Sequence, residues 1–136
     1  VDVVTKLTQY YIIRRIRYGN EPTIALPGFD HAVANPEPAK HTFDRRTHRV
    51  VVTEGLYLLH DDNGWSDVKD TFDLTVYVAA DITVCMDRLK IRNLSIPGYT
   101  PDEMRLHVDA VDRSNAVTVQ ASKRRADIVV KSAAFR

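Results

Sequence analysis

Cysteine is almost absent from this 136-residue chain: Cys85 is the only one. That excludes an internal disulfide and a cysteine-cluster zinc site, and a reducing, intracellular and hence cytoplasmic setting is the expectation. Long apolar runs are absent too. None approaches the ~18 residues that would span a bilayer, and Val1 to Lys6 do not resemble a signal peptide. An excess of one charge is also missing, because 19 basic and 18 acidic side chains leave a formal net charge of +1. A nucleic-acid surface built on Arg14, Arg15 and Arg17 is disfavoured by that balance. Glycine is scarce, with five residues at positions 19, 28, 55, 64 and 98, none of them followed by lysine.

What remains is ordinary globular composition, 44% hydrophobic and 27% charged, in a length that suits one domain with a real core. Apolar residues at Val3, Val4, Leu7, Tyr11, Ile12 and Ile16 predict a helix over about residues 2–17, closed by Arg14, Arg15, Arg17 and then Gly19-Asn20. Residues 19–48 contain Pro22, Pro27, Pro36 and Pro38 and show little periodicity. They read as a long loop of the functional kind, with a short edge strand at 22–27. A strand is expected at 49–53, a short helix at 65–69 and a second strand at 72–78. Asp81 is a plausible N-cap for a helix to Asn93 with Ile82, Met86 and Leu89 inward beside Cys85. Thr100-Pro101-Asp102-Glu103 is a capping box with proline at the first helical position. Its helix points Met104, Val108, Val111 and Val119 inward, and a strand at 127–130 follows. Strands alternating with helices indicate an α/β fold with a mostly parallel sheet. Only three strands stand out, and the chain opens at Val1 inside a helical pattern. Both features are expected of a piece of something longer or of a processed chain.

The densest local signal is Val50 to Trp65, VVVTEGLYLLHDDNGW. A β-branched run ends at Glu54-Gly55, and open α/β sheets hold their ligands where strands end. A carboxylate there helps hold Mg²⁺ or its waters in phosphoryl-transfer enzymes. An ordinary strand-end acid that caps a helix or pairs with a lysine fits the same residues. Asp61-Asp62-Asn63-Gly64 reads as a solvated turn.

Four segments in order resemble the P-loop kinases grouped with uridine kinase, phosphoribulokinase and bacterial-type pantothenate kinase. Pro27-Gly28-Phe29-Asp30-His31-Ala32 is similar to the family's acceptor-pocket segment, and Val50 to Leu59 to its strand ending in Glu-Gly. Arg88-Leu89-Lys90-Ile91-Arg92-Asn93-Leu94 resembles the arginine-bearing lid. Asp112-Arg113-Ser114-Asn115-Ala116 with Ser122 to Val130 resembles the closing Asp-x-x-Asn helix and strand. The resemblance implies a P-loop NTPase-like three-layer α/β/α fold. One departure stands out: such kinases cradle phosphates in a GxxxxGK(S/T) loop, which these residues lack. One βαβ unit before Val1 would supply it, and this chain by itself is expected to be inactive.

The resemblance implies roles for particular residues. Glu54 would hold Mg²⁺ through water or orient the acceptor. Arg88 and Arg92, four apart on one helix face, would grip phosphate oxygens and stabilise the transferring charge; a solvated basic face is the competing reading. Phe29, Asp30 and His31 suit a hydroxylated ligand, with Phe29 against a sugar or base and Asp30 accepting from hydroxyls; a local turn accounts for them equally simply. Lys123, Arg124 and Arg125 would approach the nucleotide at the sheet edge or simply solubilise a turn. Asp112 and Asn115 are either a substrate clamp or a structural hydrogen-bond pair. The expected activity is ATP- and Mg²⁺-dependent transfer to a hydroxyl of a small metabolite such as a nucleoside, sugar or vitamin precursor. The rival is a non-catalytic binding or regulatory module derived from such a kinase. No membrane or nucleic-acid partner is expected, and pairing into a homodimer through an exposed sheet edge is open.

Overall fold

The helical stripe at the start of the chain forms α1, Val3–Tyr18, in the computed structural model, which describes residues 3–30, 35–62, 65–93 and 100–133. The chain divides into two units, Val1–Glu54 and Gly55–Arg136. In the first, α1 stops where expected, because the Gly19 N–H donates to the Arg15 carbonyl at 2.9 Å. A Cβ at position 19 would lie 2.5 Å from that same oxygen, so only glycine fits this exit. Carbonyls at and just beyond the helix end also meet a cation. Arg45 donates to Ile16 O at 2.9 Å, Arg15 O at 3.3 Å and Glu21 O at 3.2 Å.

Residues 19–48 are not the expected long loop, although the edge strand expected at 22–27 is present and longer. They form an antiparallel hairpin of β1, Thr23–Asp30, and β2, Asn35–Asp44. Its inward face is set by Ile24 opposite Phe43, both buried. The ladder breaks between Leu26–His41 and Gly28–Glu37, where Pro38-Ala39-Lys40 on β2 oppose Pro27 alone. Ala39 takes a left-handed φ of 57° at this bulge. A Cβ on Gly28 would come within 2.9 Å of the Lys40 Cβ, so a residue without a side chain is needed across from the bulge. The prolines that suggested a loop are tolerated because the outer edges of this ribbon are unpaired among the described residues, and a bulge needs fewer N–H donors.

The strand expected at 49–53 is a further correction, since that segment has no regular structure and Val50 and Val52 are 79% and 88% exposed. Strand preference is realised only against neighbours on a sheet, and no ladder includes this run among the described residues.

In the second unit β3, Val76–Ala79, and β4, Ile128–Lys131, pair in parallel, with Val76 beside Ile128 and Ala79 beside Lys131. β3 is shorter than the expected 72–78 because the Thr75 N–H is taken by the Asp127 carboxylate at 2.8 Å instead of a ladder carbonyl. The short helix expected at 65–69 is a turn leading into a 3₁₀ helix at Lys69–Thr71, with Trp65 and Val68 buried beneath it.

The Asp81 carboxylate accepts from the Thr83 N–H at 2.8 Å and opens α2, Ile82–Asn93. The capping box also forms: Thr100 N donates to Glu103 Oε2 at 2.8 Å and Glu103 N to Thr100 Oγ1 at 3.3 Å, starting α3 at Pro101–His107. A π-helical turn, Val108–Asp112, joins it to α4, Arg113–Ser122. Met86, Met104 and Val108 form the core between these helices, with Ile82, Cys85, Leu89 and Ala116 packed on it.

The π turn accounts for one misplaced residue. It inserts an extra residue per turn, so the apolar phase slips after Val108. Val111, expected inward, is 45% exposed, while Asp112, Asn115 and Ala116 are half-buried in its stead, and Val119, expected inward, is half-buried. Val108→Ala should therefore cost about 1–3 kcal/mol by loss of buried apolar surface, and Val111→Ala less than about 0.5 kcal/mol. Urea unfolding of the two variants checks this. Equal losses would mean an unbroken α-helix.

Candidate functional site

Parallel α/β sheets bind ligands beyond the carboxyl ends of their strands, and that end of the β3–β4 pair is well defined here. The ladder continues one step past β4, with the Ser132 N–H donating to Ala79 O at 2.8 Å. From α2, the Arg88 guanidinium reaches the same place and donates to Ser132 Oγ at 3.1 Å and Ala133 O at 3.2 Å. One turn on, Arg92 is exposed and its Nε donates to the Asn93 side-chain carbonyl at 3.2 Å. Lys90 pairs with Asp109 of the π turn at 2.8 Å. The α2 helix thus carries two guanidinium groups from the strand ends toward its own C-terminus. Of the residues singled out from sequence, Arg88 and Arg92 share this helix, as their i, i+4 spacing requires.

The others lie elsewhere. Glu54 is exposed and is the last residue of the first unit. Phe29 and Asp30 occupy the end of β1, their backbones paired with Pro36 and Asn35, and His31 falls outside the described residues, as does the 94–99 part of the expected lid. Lys123 and Arg124 form a 3₁₀ turn with Arg125 ahead of β4, at the strand's amino-terminal side, and Arg124 is ion-paired with Asp61. Asp61, expected in a solvated turn, is therefore a partner across 63 residues of sequence. Among the described residues no three His, Cys, Asp or Glu side chains converge to hold a metal ion. A lone exposed carboxylate such as Glu54 suits only an ion that keeps most of its waters, which is the habit of Mg²⁺.

Sequence reasoning missed the roles of three polar groups. Arg125 donates to Leu59 O at 3.1 Å, His60 O at 2.6 Å and Ser66 O at 2.8 Å, tying the segment after Glu54-Gly55 to the end of α4. Asp127 accepts from Thr75 N at 2.8 Å, Thr75 Oγ1 at 2.6 Å and Lys69 Nζ at 3.4 Å. Ser132 holds Arg88. A polar residue immediately before each apolar run, Thr75 and Asp127, was the available signal for the second. Nothing local marked the other two.

The family model described as "Phosphoribulokinase / Uridine kinase family" matches residues 9–135. The chain belongs to the phosphoribulokinase/uridine kinase family. Among curated relatives of this family, the ATP-dependent kinase YFH7 of Lachancea thermotolerans is 49% identical over 51 residues, covering 38% of this chain and 14% of that protein. YFH7 of Saccharomyces cerevisiae is 37% identical over 78 residues, covering 54% of this chain and 22% of that protein. The chain thus spans between about one seventh and one fifth of the length of the curated relatives it matches.

Two solved structures superpose on it. One, from Silicibacter sp. TM1040, is named provisionally as a fructose transport system kinase; it has a TM-score of 0.75 at 24% identity and covers 89% of this chain and 59% of that one. The other, Saccharomyces cerevisiae YFH7, is provisionally a P-loop-containing kinase with a circular permutation; it has a TM-score of 0.67 at 26% identity and covers 82% of this chain and 36% of that one. The expected α/β fold is thereby that of the P-loop kinases. No helix among the described residues is long and apolar enough to cross a membrane.

The hydrogen bonds from Thr75, with a smaller contribution from Lys69, hold the Asp127 carboxyl below its ordinary pKa. A depressed carboxylate contributes stability that is present above its unfolded-state pKa and is lost as pH falls through the folded one. Asp127→Asn should accordingly flatten the acid limb of the stability curve below about pH 4. Urea midpoints measured from pH 7 down to pH 2 for both forms check this, and parallel acid limbs would count against the assignment.

Proposed function

We propose that this family member serves ATP-dependent phosphoryl transfer to a hydroxyl group of a small metabolite of the nucleoside, sugar or vitamin-precursor type. The observation that carries the proposal is the match of the family model over residues 9–135. Support from the fold is the guanidinium-bearing α2 helix starting at the carboxyl end of β3, on the side of the sheet where ligands bind in open α/β folds.

In this reading Arg92 stabilises the negative charge that spreads over the transferring phosphoryl group, for which a planar, permanently charged guanidinium is well suited. Phe29 and Asp30, at the end of the β1–β2 hairpin, would meet the acceptor. Glu54 would hold one or more waters of a bound Mg²⁺, which neutralises phosphate charge during transfer. Catalysis would rest on positioning and charge stabilisation more than on covalent chemistry. No run in this sequence has the form GxxxxGK(S/T), so the assay belongs on the full-length protein.

The test is ADP formation from ATP with panels of nucleosides, sugars and vitamin precursors. One class of hydroxyl acceptor should stimulate turnover. Arg92→Ala should then lower kcat roughly 10²–10³-fold, the usual loss for a preorganised charge-stabilising donor. Glu54→Gln should raise the Mg²⁺ concentration needed for half-maximal rate. Full kcat in the Arg92 variant, or no acceptor-dependent turnover in the wild type, would overturn the proposal.

A further inference from the structure

Arg88 and Arg92 look equivalent in the sequence, four residues apart on one face of α2, yet their surroundings differ. Arg88 lies on a flank of α2 away from the Met86–Met104–Val108 core. Its guanidinium spends two donors on acceptors just beyond β4, the Ser132 hydroxyl at 3.1 Å and the Ala133 carbonyl at 3.2 Å. Ser132 is itself fixed, since its N–H donates to Ala79 O at 2.8 Å at the end of β3. One flank of α2 is therefore packed on α3 and α4, and another is tied to the carboxyl ends of both strands. A helix turn is stiff, with a rise of about 1.5 Å per residue, so holding residue 88 fixes the direction in which residue 92 leaves the helix.

We propose that Arg88 is a positioning residue rather than a phosphate ligand: with Ser132 it forms a latch that orients α2, and Arg92 makes the phosphate contact. This rests on the kinase reading above but assigns the two arginines different work. Ser132 acquires a role that no sequence motif suggested. The latch acts through geometry, since neither the Ser132 hydroxyl nor the Ala133 carbonyl needs to touch the nucleotide. A bound phosphate competing for Arg88 would have to break both hydrogen bonds.

Steady-state kinetics on the full-length protein separate the roles. Arg88→Ala and Ser132→Ala should each raise KM for ATP by roughly three- to ten-fold with kcat nearly unchanged, and the double variant should be no worse than either single one, because both remove the same latch. Ser132→Thr, which keeps the hydroxyl, should restore the wild-type KM. Arg92→Ala should instead lose kcat. The proposal is overturned if Arg88→Ala loses kcat as Arg92→Ala does while Ser132→Ala behaves as wild type, the pattern of direct phosphate contact.

A wild-type protein with no ATP turnover would defeat the kinase reading separately. The latch would then be judged by melting temperatures of Arg88→Ala, Ser132→Ala and their double variant. Non-additive shifts for Arg88→Ala and Ser132→Ala support it, and additive shifts refute it.

Discussion

The second unit depends on a reciprocal clasp between Thr75 and Asp127. The Thr75 N–H and hydroxyl donate to the Asp127 carboxylate, the Asp127 N–H donates to Thr75 Oγ1 at 3.1 Å, and the Ile128 N–H donates to Thr75 O at 3.1 Å. Parallel pairing is the weaker kind of ladder and is normally covered on both faces. Here it runs for four residues per strand, with Val78 and Val129 well exposed, so apolar burial alone does little to choose its register. A side-chain clasp at the amino end does that work. Register in turn sets which residue stands across from Ala79 at the other end, and so where Ser132 and the Arg88 guanidinium can meet. A short polar motif before the strands thus governs the geometry of the end at which ligands are expected.

Local signals were legible wherever the chain satisfies its own backbone nearby. The exit of α1 at Gly19, the Asp81 cap of α2 and the Thr100–Glu103 box each involve residues within four positions of one another, and each formed as read. The hairpin was concealed because Pro27, Pro36 and Pro38 argue against strands in general, whereas a ribbon with open edges and a bulge admits them. Its real signature was the pair Ile24 and Phe43, too distant in sequence to be recognised as partners. Val50 to Val52 failed in the opposite sense, since their preference for a sheet was real but no neighbouring strand is paired with them among the described residues. The π turn was invisible because residues 108–112 are all compatible with an ordinary helix.

The candidate site was legible as residue types and not as roles. Arg88 and Arg92 were found together, which the i, i+4 spacing guarantees, but the tie from Arg88 to Ser132 crosses 44 residues and has no sequence pattern. Likewise Arg125 sits between Arg124 and Ala126 in a basic run that reads as a solvated turn. Its contacts to three carbonyls between residues 59 and 66 make it an anchor. Neighbouring arginines can do unrelated work, because the length of the side chain lets each find its own acceptor.

The π turn also affects how this chain is compared with its relatives. An extra residue absorbed inside a helix leaves both flanks in place while shifting the residue number at every downstream position by one, about 100° of helical phase. A relative without that insertion would present the same inward surface with its residues renumbered by one. Pairwise matching that assumes continuous helical phase through 108–112 would then equate Asp112 or Asn115 with the wrong partner, and an apparent loss of the Asp-x-x-Asn signature in a related protein could be nothing more than a helix wound without its bulge.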